Sequence, residues 1–210
     1  MNMKIFSIWL PAAAGLVLLT VPAKAQQKAA TPNIVFILAD DLGYGDLGAY
    51  GQKKFSTPHI DQLAKQGMRF TQFYAGTSVC APSRASLITG LHTGHTFIRG
   101  NKEIEPEGQQ PIADTVITLM EVLKKAGYTS GIFGKWGLGP VGSSGDPVKQ
   151  GADRFYGYNC QRESHRYFPT HLWDNDTRIP LEENGNLAQI KTYAPDMIQQ
   201  QALHFLEDNK

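Results

Sequence analysis

The chain opens on an almost unbroken apolar stretch. Lys4 precedes it, and Ile5 to Val21 is apolar apart from Ser7, Pro11, Gly15 and Thr20. Ala23-Lys24-Ala25 follows as a small-x-small cleavage site ahead of Gln26. A positive start, a short apolar run and small residues are the order of a secretion signal, expected over 1–25. The competing reading is a membrane anchor, but the run is short for a bilayer and is interrupted by Pro11 and Gly15. Residues 26–32 read as a leader without order of its own, and 33–210 as the folded part.

Beyond the leader the pattern changes period several times. Asn33-Ile-Val-Phe-Ile-Leu38 is continuous and rich in β-branched residues, which predicts a strand buried on both faces. Thr57-Pro58 predicts an N-cap and first helical position, opening a helix over Ile60, Leu63 and Ala64 that stops at Gly67. Met68 to Tyr74 reads as a second strand, and Pro82 to Thr89 as a short helix closed by Gly90. Asp114 is expected to cap a helix carrying Val116, Ile117, Leu119, Met120 and Leu123, with Gly127 as its stop. Tyr128 to Phe133 is the third expected strand, and Pro195 to Glu207 a last helix. Pro140 to Gly151 reads as a loop, and Asn159 to Asn186 as an irregular aromatic segment. Strand, helix, strand, helix, strand predicts a largely parallel α/β sheet with helices on its faces. Ligands of such sheets bind at the carboxyl ends of the strands. Asp40 and Asp41 end the first expected strand and Lys135 follows the third. The chain stops just after a helix where such a sheet would normally continue, so a longer protein is expected.

Composition narrows the class. With 41% hydrophobic and 19% charged residues among 210, the chain is globular rather than disordered. A net charge of +1 leaves no basic excess for nucleic acid, and no later segment reaches membrane-spanning length. Two cysteines, Cys80 and Cys160, are too few for a disulfide framework or a zinc ribbon.

Two phosphate-binding motifs fail on context. Gly43-Tyr-Gly45-Asp-Leu-Gly48 matches the dinucleotide fingerprint in spacing only. Its glycines open no helix, and Asp40, Asp41 and Asp46 would repel a pyrophosphate. Gly134-Lys135 lacks the following hydroxyl residue of a P-loop. Asp40-Asp41 has more to offer. Adjacent carboxylates repel unless a cation or donors neutralise them, so a divalent metal or a solvated turn is expected there. For Cys80 the residues alone leave two readings, a buried thiol ahead of a helix or a thiolate activated by the helix N-terminus and Arg84.

Cys80-Ala-Pro-Ser-Arg84, continued as Ala85-Ser-Leu-Ile-Thr-Gly90, resembles the signature of the type I sulfatases. The resemblance extends through Asn33–Asp46, Thr57-Pro-His-Ile-Asp61 and Gly134-Lys-Trp136, in order along the chain. It implies an alkaline-phosphatase-like α/β fold, a mixed and largely parallel sheet with helices on both faces, of which this chain is the N-terminal portion. It implies a secreted or periplasmic sulfuric ester hydrolase acting on a sulfated carbohydrate. In that family the cysteine is oxidised during export to formylglycine by a dedicated enzyme, which becomes the implied partner of Cys80. Asp40 and Asp41 then match a calcium-ligand pair, and Cys80 the nucleophile and a further ligand. Arg84 matches the arginine that holds the formylglycine hydrate, and Lys135 the lysine that grips sulfate. An aldehyde hydrate offers one hydroxyl to attack sulfur and a second to expel sulfate afterwards.

Two departures stand out. Many members read Gly-Lys-Trp-His-Leu-Gly, whereas this chain has Gly137 in the histidine's place. Gly137 cannot act as a base, which makes His165 a candidate for that step or for substrate binding, beside its plainer reading as a surface histidine. His92 and His95 are expected to support their loop. The family's second metal pair, an Asp-Asn, would fall beyond Lys210. Cys160 is expected to be structural, because a bond to Cys80 would block maturation. Glu103, Glu105 and Glu107 read as a solvated loop, and Asn175-Asp176-Thr177 as a glycosylation sequon. Two further functions stay open, a phosphate or phosphonate hydrolase of the same superfamily and a non-catalytic binding module.

Overall fold

The computed structural model describes residues 31–187 and 190–210. The expected signal at 1–25 and leader residues 26–30 lie outside the described residues. The chain divides into a unit of residues 1–36 and a compact unit of residues 37–210. The described part of the first, 31–36, has no helix or strand and is exposed.

Among the described residues, five α-helices and a four-stranded sheet organise the second unit. The helices are α1 (Pro58–Gln66), α2 (Cys80–Thr89), α3 (Leu119–Lys125), α4 (Gln161–Ser164) and α5 (Ala194–Asp208). The strands are β1 (Gly131–Lys135), β2 (Arg154–Tyr158), β3 (His171–Asp174) and β4 (Thr177–Pro180), hydrogen-bonded in that order. β1 and β2 run parallel, with Ile132 opposite Phe155 and Lys135 opposite Tyr158. β3 returns antiparallel to β2, and β4 antiparallel to β3, so the sheet is mixed. The register sorts side chains to two faces. Ile132, Phe155 and Trp173 join Ala81 and Ala85 of α2 and Met120 of α3. Phe133, Tyr156, Tyr158 and Leu172 join Ala194, Met197 and Ile198 of α5. Helices therefore cover both faces, as the sequence pattern expects.

Local signals explain the helix ends. Pro58 stands in the first turn of α1, where a missing N–H costs nothing. Gly90 closes α2 in the left-handed region at φ +67°, with its N–H on Ser86 O. α3 begins later than expected. Thr118, not Asp114, is its N-cap, and Thr118 and Glu121 form a reciprocal capping box. Thr118 Oγ1 also donates to Gln150 O at 2.7 Å, so the cap is tied into the core.

Three expected elements differ. Asn33–Leu38 forms no strand, and residues 31–39 are exposed. A run buried on both faces needs strand neighbours and covering helices, and among the described residues no strand pairs with it. Met68–Tyr74 likewise stays irregular, with Met68, Phe70, Phe73 and Tyr74 exposed. Conversely, the segment 159–186 is more ordered than its composition implies, because it holds α4 and the β3–β4 hairpin. The two-residue turn Asn175-Asp176 joins that hairpin, with Asn175 at φ +53°. Asn175 Oδ1 accepts from Phe155 N–H at 2.8 Å, so the sequon asparagine is held by the sheet.

Candidate functional site

Five of the expected residues meet at one place. Asp40 and Asp41 occupy a turn, with Asp41 at φ +55°, a conformation that Asp tolerates better than most residues. Cys80 is the first residue of α2, and Pro82 lies in the same first turn, where its missing N–H breaks no helical bond. Arg84 is one helical turn further on and shares the face of Cys80. Lys135 ends β1, at the carboxyl edge of the parallel pair.

One ligand atom from each of Asp40, Asp41 and Cys80 lies within 4.8 Å of the others. Asp40 is bridged by both cations. Arg84 Nη2 donates to Asp40 Oδ1 at 3.2 Å, and Lys135 Nζ to Asp40 Oδ2 at 2.5 Å. Arg84 Nη1 also donates to Lys135 O at 2.6 Å, which ties α2 to the end of β1. The Lys135 side chain is only 6% exposed, so its charge requires a partner. Burial pushes the Asp40 carboxyl up, but the hydrogen bond and charge of Lys135, joined by Arg84, outweigh it and hold the group below its ordinary value. Asp40 is thus ionised wherever the protein is folded near neutrality.

The two carboxylates suit a hard divalent cation, whereas the Cys80 thiol is a soft donor and fits a calcium shell only once residue 80 carries oxygen. Asp40 and Asp41 supply part of a shell of about six to eight oxygens, and other oxygens must complete it. Among the described residues Arg84 Nε is buried without a hydrogen-bond partner, so the guanidinium keeps a donor for an anionic group. A pair of acids with two cations beside them can hold a metal and a tetrahedral oxyanion together.

The structure adds groups that sequence reasoning missed. Val79 caps α2 with no side-chain hydrogen bond, and Asn101 Oδ1 instead accepts from Ala81 N–H at 2.8 Å. No local signal announces a partner 20 residues downstream. Gln161 packs against Gly137, so that a Cβ at 137 would stand 2.1 Å from Gln161 Nε2. Gly137 also sits at φ +74°, which favours glycine. The Gln161 amide stands where a side chain at 137 would begin.

Other candidates stand apart. His165 is exposed at the C-terminal end of α4, and among the described residues no hydrogen bond or ion pair joins it to the cluster. His92 Nδ1 accepts from Gly94 N–H at 3.0 Å and packs edge-on with His95, in keeping with a loop-supporting role. Both cysteines are free, and Cys160 is buried as the N-cap of α4, its Sγ accepting from Glu163 N–H. Burial pushes the Cys160 thiol up, as suits a structural residue. Glu107 departs from the solvated loop expected of it. Its carboxylate receives His171 Nε2 at 2.7 Å and Trp173 Nε1 at 2.8 Å. Arg178 Nη2 faces His171 Nδ1 at 3.0 Å and can only donate, which leaves Nε2 as the protonated nitrogen. Burial raises the Glu107 carboxyl, but the His171 and Trp173 hydrogen bonds lower it below its ordinary value. The glycine loop 43–48 forms two short 3-10 turns, and Gly43 N–H and Ala49 N–H are taken by Asp46 and Asp61. Those amides have carboxylate partners within the chain, which accords with rejecting a pyrophosphate site.

The family model described as Sulfatase matches residues 32–208. The chain belongs to the sulfatase family. An N-acetylgalactosamine-6-O-sulfatase of Bacteroides thetaiotaomicron is 45% identical over 150 residues, covering 68% of this chain and 29% of that protein. Arylsulfatase A of Bos taurus is 49% identical over 132 residues, covering 61% and 25%. Arylsulfatase G of Rattus norvegicus is 35% identical over 206 residues, covering 87% and 39%. This sulfatase chain therefore spans between a quarter and two fifths of these three relatives. Among solved structures, one from work on glycosaminoglycan metabolism by B. thetaiotaomicron has a TM-score of 0.62 at 34% identity, over 70% of this chain and 32% of that one. Another, in complex with its substrate D-glucosamine-2-N,6-O-disulfate, has a TM-score of 0.67 at 28% identity, over 85% and 32%. These likenesses put the mixed sheet and its flanking helices in the alkaline-phosphatase-like α/β fold of the sulfatases. Among the described residues no helix is long and apolar enough to cross a membrane.

Proposed function

We propose that the protein to which this chain belongs is an exported sulfuric ester hydrolase that removes sulfate from a sulfated glycan. The observation that carries this reading is the convergence of Asp40, Asp41 and Cys80 with Arg84 and Lys135 at the end of β1. Similarity to an N-acetylgalactosamine-6-O-sulfatase and to a structure in complex with D-glucosamine-2-N,6-O-disulfate supports the substrate class. The signal-like start at 1–25, ahead of a leader at 26–32 and a catalytic part at 33–210, supports a secreted or periplasmic location.

Each residue has a task that its surroundings fit. Asp40 and Asp41 would hold calcium with residue 80. Calcium would supply positive charge to a sulfate oxygen, and formylglycine at position 80, made by a formylglycine-generating enzyme, the hydrated aldehyde. Lys135 is charged and shielded from water, so its ammonium grips a sulfate oxygen more strongly than an exposed lysine would. Arg84 is fixed by Lys135 O and Asp40, and its unpartnered Nε is available to an oxygen on residue 80. Both cations are in place before substrate arrives, so little reorganisation accompanies charge build-up in the transition state.

The deciding experiment is the mass of the Cys80 peptide after export alongside a formylglycine-generating enzyme. The expected product is an aldehyde, with hydrolysis of sulfate esters faster than of phosphate esters. An intact thiol, with a control sulfatase converted in the same cells, would refute the proposal.

A further inference from the structure

Three buried carboxamides crowd the end of the sheet where Lys135 stands, and the proposed chemistry uses none of them. Gln109, Asn159 and Gln161 are 0%, 1% and 3% exposed. Among the described residues Gln109 Nε2, both amide atoms of Asn159 and both of Gln161 are buried without a hydrogen-bond partner. A dry amide without partners costs stability that an apolar side chain of the same volume does not. Unpaired buried groups of this kind call for an explanation, and a ligand-binding role is one.

The three are linked to one another and to β1. The pairing of β1 with β2 runs past the strand ends, because Trp136 N–H donates to Tyr158 O at 3.0 Å and Gly137 N–H to Asn159 O at 3.3 Å. Gln161, two residues beyond Asn159, opens α4. Its own N–H is held by Gln109 Oε1 at 2.8 Å, so its backbone is fixed while its carboxamide is unbonded. The amide lies so close to Gly137 that a Cβ there would overlap Nε2. It therefore stands at the carboxyl edge of the parallel pair, where ligands of such sheets bind.

The chain itself limits how far Gln161 is from the cluster. Arg84 Nη1 donates to Lys135 O at 2.6 Å, and Gly137 is two residues past Lys135. Two extended residues span at most about 7 Å. Gln161 Nε2 thus lies within about 12 Å of the Arg84 guanidinium. A sulfated hexose is of comparable length. Charge at the site is already handled by Asp40, Asp41, Arg84 and Lys135. A carboxamide adds a donor and an acceptor without charge, which suits the neutral hydroxyl and acetamido groups of a sugar.

We propose that Gln161 is a specificity-determining residue of the sulfate-ester site. Its carboxamide turns from Gly137 about its own side-chain bonds and pairs with a hydroxyl or acetamido group of the sugar whose sulfate Lys135 holds. The inference rests on the sulfatase reading. The test is calorimetry on the whole protein, made without a formylglycine-generating enzyme so that Cys80 stays a thiol and no ester is cleaved. The probes are N-acetylgalactosamine 6-sulfate and inorganic sulfate, both with calcium present. Gln161→Met, close to glutamine in volume, is expected to weaken the monosaccharide about tenfold. It is expected to leave inorganic sulfate unchanged and to keep or raise the melting temperature. Gln161→Leu is expected to do the same. Monosaccharide affinity no better than that of sulfate in the unsubstituted protein, or equal in that protein and both variants, would overturn the role. A parallel fall in monosaccharide affinity, sulfate affinity and melting temperature would also overturn it, because packing alone then explains the amide. Unsubstituted protein that binds neither probe would refute the sulfatase reading and the inference with it.

Discussion

Asp40 shares one carboxylate between Arg84 and Lys135, so its removal acts on binding and stability together. Asp40→Asn is expected to lower calcium affinity at least about tenfold. It is also expected to cost ~1 kcal/mol of stability, a figure discounted because Asp40 is partly exposed. Calcium titration and urea unfolding measure the two effects. The pH dependence has a definite sign. A carboxyl lowered in the fold stabilises above its unfolded value and loses that contribution as pH falls through the folded value. The melting temperature is therefore expected to fall as pH drops below about 4, less steeply in Asp40→Asn. Gly137 supplies a second residue-scale test. Gly137→His places a Cβ in a left-handed position already filled by Gln161. It is expected to destabilise by about 1–3 kcal/mol, and Gln161→Ala in the same chain to recover part of that. Equal melting temperatures for Gly137→His and the parent would contradict this account. At this scale the sequence was eloquent about the cluster, since each of its five residues stands in a motif. It was silent about Asn101 and Gln161, whose roles depend on which distant backbone they meet.

Elements are held by contacts that cross the chain. Thr118 caps α3 and reaches Gln150 O at once, so Thr118→Ala is expected to cost about 1–2 kcal/mol in urea unfolding. The box Thr118-x-x-Glu121 is a local signal that Asp114 lacks, since Ile117 stands three residues after it, and the contact with Gln150 then ties that cap into the core. Glu107 joins its loop to the β3–β4 hairpin through His171 and Trp173. Glu107→Gln is expected to cost about 1–2 kcal/mol, because two donors lose a charged acceptor. The loss should fade as pH falls through the lowered value of Glu107, because protonation then weakens the parent too. A loss that persists undiminished at low pH would mean that packing, not charge, holds the hairpin. Three glutamates alternating in a loop looked solvated, and the acceptor role of Glu107 appeared only with β3 beside it.

For the whole molecule the lesson lies in what each level of description constrains. Turn chemistry and helix caps are local, so α1, α2 and α5 could be read from Pro58, Gly90 and the periodicity of 195–207. Helices on both faces of a sheet followed from the alternation of patterns, but the pattern gave a largely parallel sheet and only the resemblance implied a mixed one. One pairing is parallel and two are antiparallel, because β3 and β4 hid in a segment rich in turn residues. Strands are decided by their neighbours. Asn33–Leu38 and Met68–Tyr74 have strand-like composition and no strand partner among the described residues, and they stay irregular and exposed. By itself, then, the sequence determined the family, the helix ends and the identity of the chemical groups at the site, because spacing and local hydrogen-bonding options are written residue by residue. Only the tertiary structure decided that Asp40 bridges two cations, that Gln161 packs against Gly137 and that Glu107 accepts from His171 and Trp173. Those relations join residues tens of positions apart, and packing alone brings such groups within reach of one another.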